Sequence, residues 1–200
     1  KAVHFDVSGS GVDGTISQIR AKIEEVRDNG SMNVETTKVQ LKLEDYKGGN
    51  LPNYQAILRS GVDHTQFYNV PLEFTYPSED YPEIEQPEIS INIAEKSNVG
   101  ITTIDIVIIQ RHILQILTMD PFQLFAADVN DSGTVSSADL LSMRKMILQL
   151  KDEFKVGRSW QAVDSRCGES PELCQTAIKL NTDLTQQNIE FTIIKYGDVK

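Results

Sequence analysis

The spacing of apolar positions divides the chain in two. Through the first 95 residues the period is two: Lys38-Val39-Gln40-Leu41-Lys42-Leu43-Glu44 and Glu88-Ile89-Ser90-Ile91-Asn92-Ile93 alternate polar and apolar side chains, which turns one face of each strand inward. Residues 4–7, 53–59 and 66–75 read as further, weaker strands, and residues 46–53 (YKGGNLPN) carry turn chemistry. This spacing predicts a small β-sandwich. Segment 9–32 stays unassigned, because Ile16, Ile19, Ile23 and Val26 fit a helix while Ile19, Ala21 and Ile23 also alternate. Residues 76–87 (YPSEDYPEIEQP) are proline-rich and acidic, and read as a loop or extended linker with solvated carboxylates. From about residue 100 the period becomes 3.6, with helical runs over 104–117 and 140–150. Beyond Phe154 come mixed loops and a final strand over 189–195. The expected organisation is therefore a β-module over 1–95, a helical unit over 96–154, and a loop with a terminal strand over 155–200 that packs on the preceding parts.

The helical unit is internally duplicated. Residues 101–116 (ITTIDIVIIQRHILQI) align without gaps to residues 135–150 (VSSADLLSMRKMILQL) at an offset of 34, which sets Thr102-Thr103 over Ser136-Ser137 and Asp105 over Asp139. Ahead of the second copy stands Asp128-Val129-Asn130-Asp131-Ser132-Gly133-Thr134-Val135-Ser136-Ser137-Ala138-Asp139. Matched to the 12-residue calcium loop, this run supplies an oxygen at every ligand position: Asp128, Asn130, Ser132, the Thr134 carbonyl, Ser136 and Asp139, with Gly133 at the sharp turn. The competing reading is an Asx/Gly turn that merely caps the following helix. The first copy departs from the pattern, since Ala94 and Lys96 occupy positions 1 and 3 and Gly100 arrives one place late. Glu95, Asn98, Thr102 and Asp105 remain candidate ligands of an irregular second site, beside the alternative that this loop is empty or holds something else.

Charge sharpens this picture. A net charge of -10 repels nucleic-acid phosphates and anionic lipid and favours cations such as calcium, so no nucleic acid and no membrane insertion are expected. The longest nearly uncharged apolar run, 106–109, is far shorter than the roughly 20 residues of a membrane span. Lys1 opens the chain without an initiator Met or an export signal, as a processed or excised piece would. Cys167 and Cys174 lie close together in a Gly/Ser/Pro-rich stretch; a local disulfide is the simplest reading, with free thiols or half of a metal site as rivals. His4, His64 and His112 stand in unrelated contexts, and neither G-x-S-x-G nor H-E-x-x-H occurs, so no catalytic residue is assigned.

At the 128–139 loop and the helix after it, with its basic pair Arg144-Lys145, the chain resembles the dockerin family of duplicated calcium loop-helix units. Asn98-Val99-Gly100-Ile101-Thr102-Thr103-Ile104-Asp105, Gln110-Arg111-His112-Ile113-Leu114 and Ala126-Ala127-Asp128-Val129-Asn130 look more closely like dockerin-like segments of large secreted or cell-surface bacterial proteins exported by the type IX route. Ser159-Trp160 and Lys195-Tyr196-Gly197-Asp198-Val199 resemble the tail of that group, and Phe67-Tyr68-Asn69-Val70-Pro71 looks like the small β-sandwich modules that precede such segments. The resemblance implies an α+β multi-module chain: an Ig-like or transthyretin-like β-sandwich, a dockerin-like helical unit with Ca2+ as cofactor, and a C-terminal loop and strand. It also implies an extracellular setting, secreted or attached to the cell surface, in which a Cys167–Cys174 bridge is at home. In that family the residue pairs before the last loop aspartate contact the partner; here they are Thr103-Ile104 and Ser137-Ala138. The leading expectation is a non-catalytic calcium-stabilised module for adhesion or assembly of a large surface or filament protein, meeting other modules or copies of itself. Two alternatives stand beside it: a dockerin that recruits a secreted cargo to a cohesin, and an accessory module of a secreted carbohydrate-active enzyme.

Overall fold

Alternation in the β-rich part becomes two sheets that share one core. The computed structural model describes residues 36–62, 67–95 and 99–200, which leaves the expected strand at 4–7, the ambiguous segment 9–32, His4, His64 and Asn98 outside the described residues. Within them, strands β1 (Thr37–Asp45), β4 (Glu73–Tyr76), β6 (Trp160–Asp164) and β8 (Gln186–Lys195) form one sheet in the order β4-β1-β8-β6. Strands β2 (Gln55–Ser60), β3 (Phe67–Val70), β5 (Pro87–Asn92) and β7 (Ala177–Lys179) form the other, ordered β3-β2-β5-β7. All pairs are antiparallel except β1 and β8, which run parallel with Leu41 opposite Ile189 and Leu43 opposite Phe191. Val39, Leu41, Phe74, Ile189 and Phe191 of the first sheet meet Leu58, Ile89 and Ile91 of the second in a single buried cluster. Burial of such side chains contributes about 1.5–3 kcal/mol each.

Three of these strands, β6, β7 and β8, follow the helical segment in the chain, so the same two sheets draw on residues from both sides of it. The period-two run expected over 66–75 is interrupted. Pro71 has no N–H to give a ladder, and the chain there leaves β3 in one sheet and enters β4 in the other. The proline-rich 77–86 stretch is a loop, pinned where the buried Tyr76 hydroxyl accepts the Ile84 N–H at 2.7 Å.

Three helices follow: α1 (Thr103–Ile113), α2 (Pro121–Ala127) and α3 (Ser137–Ile147). The first and third are the two copies of the repeat, and they match beyond their sequence. Each starts on a capping box, Thr102 with Asp105 and Ser136 with Asp139, and each stops in the same way. After α1, Gln115 takes φ 58° and the N–H groups of Gln115 and Ile116 bond back to the His112 and Arg111 carbonyls; after α3, Gln149 takes φ 55° and Gln149 and Leu150 bond back to Met146 and Lys145. Both are Schellman ends with glutamine where glycine is usual. The expected run 104–117 is thus shorter than its apolar pattern. The short α2 was not anticipated; its signature is Asp120 as cap, Pro121 in the first turn and Gln123 three places after the cap.

The helices pack on the outer face of the first sheet. On β8, Phe191 and Ile193 enter the sandwich core while Ile194 joins the helical core with Val163 of β6, Ile109, Met143, Ala126 and Val129. The central sheet therefore carries a core on each side. Its neighbour Cys167, buried in the helical core, is bridged to Cys174.

Candidate calcium loop

Twelve residues between α2 and the first turn of α3 curl around their own polar atoms. Asp128, at the end of α2, turns both carboxylate oxygens into the loop: Oδ1 accepts the Ser132 N–H at 3.0 Å and Oδ2 the Gly133 N–H at 2.6 Å. Gly133 has φ +78°, a left-handed conformation that an L side chain would strain, so a glycine is required at this bend. Asp131 also lies in the left-handed region, at φ 58°, and is exposed. Ser132 Oγ lies 3.4 Å from Asp128 Oδ1 and 3.0 Å from the Thr134 carbonyl, which brings positions 1, 5 and 7 together.

At the other end stands Asp139, fully buried. Its Oδ2 accepts the Ser136 N–H at 2.9 Å and the Ser136 hydroxyl at 3.1 Å, while Oδ1 takes the Asn130 side-chain amide at 2.6 Å and the Asn130 N–H at 3.3 Å. Positions 3, 9 and 12 thus form a second set. The Asx/Gly turn and the helix cap named as the competing reading are both present, and they are built from the same residues as the oxygen set. Val135, at position 8, packs into the helical core, as an apolar anchor must if the loop is to keep its shape.

This donor set fits calcium. The ion takes about 6–8 oxygens and tolerates neutral ones, and the loop offers two carboxylates, an amide, two hydroxyls and a carbonyl. No group of three or more His, Cys, Asp or Glu side chains suited to a metal exists among the described residues.

The candidate residues of the first loop are arranged otherwise. Thr102 and Asp105 reproduce the cap, with Asp105 Oδ2 accepting the Thr102 N–H at 2.8 Å and its hydroxyl at 2.9 Å. Glu95 is exposed. Asp105 Oδ1, however, faces the chain's last residues and accepts the N–H groups of Val199 at 3.0 Å and Lys200 at 3.1 Å. Burial alone would raise the Asp105 pKa, but the hydrogen bonds from Thr102, Lys200 and Val199 outweigh it and hold the carboxyl below its ordinary range. Sequence reasoning missed this tail, because nothing within the first loop points to residues some 95 positions away. His112 accepts the Met119 N–H at Nδ1 and so braces the turn after α1.

The family described as the dockerin type I domain matches residues 97–148, about a quarter of the chain. That span contains α1, α2, α3 and the 128–139 loop, so the chain carries a dockerin-like segment. No curated protein and no solved structure matches the chain. Dockerin type I domains bind Ca2+ through EF-hand-like loops, and calcium is the cofactor of this segment. Such domains are non-catalytic, bind cohesin modules, and occur in extracellular or cell-surface proteins. Among the described residues no helix is long and apolar enough to cross a membrane.

Proposed function

We propose that the chain is a non-catalytic, calcium-stabilised module that docks a secreted protein onto a cohesin-like domain through the outward faces of α1 and α3. The family match favours this reading over the leading expectation of adhesion or assembly. The observation that carries it is a duplicated surface. Val107 and its repeat mate Leu141 are each 52% exposed, and the pairs Leu114 with Leu148 and Ile116 with Leu150 are exposed as well. Scattered apolar residues on a surface need no explanation, but the same positions exposed in both copies form a patterned face. Thr103-Ile104 and Ser137-Ala138 lie at the exposed starts of these faces and differ in character, so the two faces bind with unequal strength.

Calcium in this reading is held by Asp128, Asn130, Ser132, the Thr134 carbonyl, Ser136 and Asp139. With two charged ligands its affinity lies toward the weak extracellular end, roughly 10⁻⁴–10⁻³ M. Calorimetry on metal-stripped protein tests the ligand set, and unchanged heats for Asp128→Ala would sink it. Binding to a panel of cohesin domains tests the docking face: Val107→Asp and Leu141→Asp together abolish capture while the melting temperature stays within a degree or two. Retained capture by that double variant rejects the face.

The finer likenesses belong to the same reading: export by the type IX route, and a chain in which an Ig-like or transthyretin-like sandwich begun within 1–95 and completed by strands from 155–200 carries the dockerin-like unit over 96–154. A second reading, assembly with other modules or copies of the chain, is supported by β3, an edge strand on which Phe67 is 68% exposed. Sedimentation of wild type against Phe67→Lys separates it from cohesin docking.

A further inference from the structure

A calcium loop whose ligands have been lost should leave its last aspartate short of positive charge, and Asp105 is the buried counterpart of Asp139. Its partner is a lysine. The Lys200 ammonium lies 3.1 Å from Asp105 Oδ2 and 3.0 Å from Asp198 Oδ1, and it also donates to the Gly100 carbonyl. Three N–H donors thus meet three oxygens, one of them the position-12 carboxylate and one a backbone carbonyl of the loop itself. Calcium needs about twice that number of oxygens, and the first loop has Ala94 and Lys96 where the second brings Asp128 and Asn130. Two further ammonium groups flank the place: Lys47 pairs with Asp198, and Lys195 donates to the Val99 carbonyl. Their charges oppose entry of a divalent cation.

The segment that delivers Lys200 is firmly seated. Tyr196 and Val199 are buried in the helical core. The Gly197 N–H donates to the Ala126 carbonyl at 2.8 Å and the Val199 carbonyl accepts from the Gln123 side chain at 2.8 Å, so α2 grips the segment along its length. Gly197 adopts φ +81°, and a Cβ there would lie 2.9 Å from the Phe154 ring and 3.3 Å from Ile101 of the first loop. Only glycine permits so close an approach. Burial works against a charged Lys200, yet the bonds to Asp198 and Asp105 more than offset it and raise its pKa.

We infer that the first loop is a pseudo-site filled by the chain's own cation: residues 196–200 strap across it, and the Lys200 ammonium stands where the repeat would otherwise place an ion. The first half of the dockerin-like unit is therefore locked without calcium, and only the second half answers to it. The inference rests on the dockerin-like numbering of the two loops, and not on calcium occupying the second.

Native mass spectrometry of the full chain at saturating calcium, with melting curves in calcium and in chelator, tests it. The wild-type chain takes up one ion and Asp128→Ala none, while Lys200→Gln lowers the melting temperature by several degrees, equally in calcium and in chelator. Two ions on the wild type, one ion retained by Asp128→Ala, or an unchanged melting temperature for Lys200→Gln overturns the inference. Zero ions on the wild type would sink the proposed second-loop site while still agreeing with a filled first loop.

Discussion

The two halves of the repeat share a framework and differ in what neutralises it. Both begin on a hydroxyl-aspartate capping box, both run eleven residues of helix, and both end on a glutamine in the left-handed region. In the second half, the polar atoms around Asp139 come from within the loop: Asn130 and Ser136 satisfy its oxygens, and Asp128 waits at the far end. In the first half, the polar atoms around Asp105 come from Thr102 and from Val199 and Lys200. A loop with its own ligands can exchange its cation with solvent. A loop whose cation is part of the polypeptide cannot, so on the proposed reading the same architecture yields one calcium-responsive half and one fixed half.

The sharpest way to break this comparison is to remove each aspartate in turn. Asp105→Ala takes an acceptor from the Thr102 cap, from the Val199 and Lys200 N–H groups and from the Lys200 ammonium, and is expected to cost about 3 kcal/mol whether calcium is present or chelated. Asp139→Ala should cost more in calcium than in chelator, because part of its effect is a lost ion. Urea unfolding under both conditions measures the four values, and a calcium-dependent loss for Asp105→Ala would mean that the first half also binds. Reducing the Cys167–Cys174 bridge comes next. The chain-entropy estimate for so short a loop is about 2–3 kcal/mol. Cys174 borders a cavity lined also by Asp128, Gly133, Thr134 and Val135, so reduction should weaken calcium binding while leaving hydrogen exchange at Val199 and Lys200 unchanged.

Calcium removal is a smaller effect. At tenfold excess over Kd the ion contributes about 1.4 kcal/mol, a few degrees of melting temperature for a chain of this size. Exchange protection should fall in α3 and the 128–139 loop before it falls in α1; simultaneous loss in both helices would deny the halves their independence. The smallest effect is one in which the halves should agree. Gln115→Gly and Gln149→Gly each relieve a left-handed side-chain conformation and should each stabilise by about 0.5–1 kcal/mol, with or without calcium. A difference between the two, read by thermal melting, would show that the helix ends are not as alike as their hydrogen bonds.

Several features were legible in the chain because they are local. The alternation of Val39, Leu41 and Leu43 announced β1, the shift to a 3.6 period announced α1 and α3, and the offset of 34 aligned their caps residue by residue. The 128–139 loop could be laid out position by position because each oxygen it brings together lies within twelve residues. The helix α2 had its signal in Asp120, Pro121 and Gln123, but seven residues are too few to show a period. The split of residues 66–75 into strands of different sheets was beyond pattern reading, since Val70 and Phe74 are both apolar and both buried whichever sheet receives them.

What the sequence by itself determined is the set of interactions made by neighbours in the chain: element types, caps, the repeat, and one complete set of calcium-type oxygens. The tertiary structure alone decided that β8 returns to lie parallel to β1 at the centre of a sheet, that its opposite faces serve two cores, and that residues 196–200 then fall across the first loop. The physical reason is the range of the interactions. A turn or a cap is selected by the few side chains within reach of one backbone segment, whereas the Lys200–Asp105 pair exists because two apolar cores first fixed where strand β8 ends.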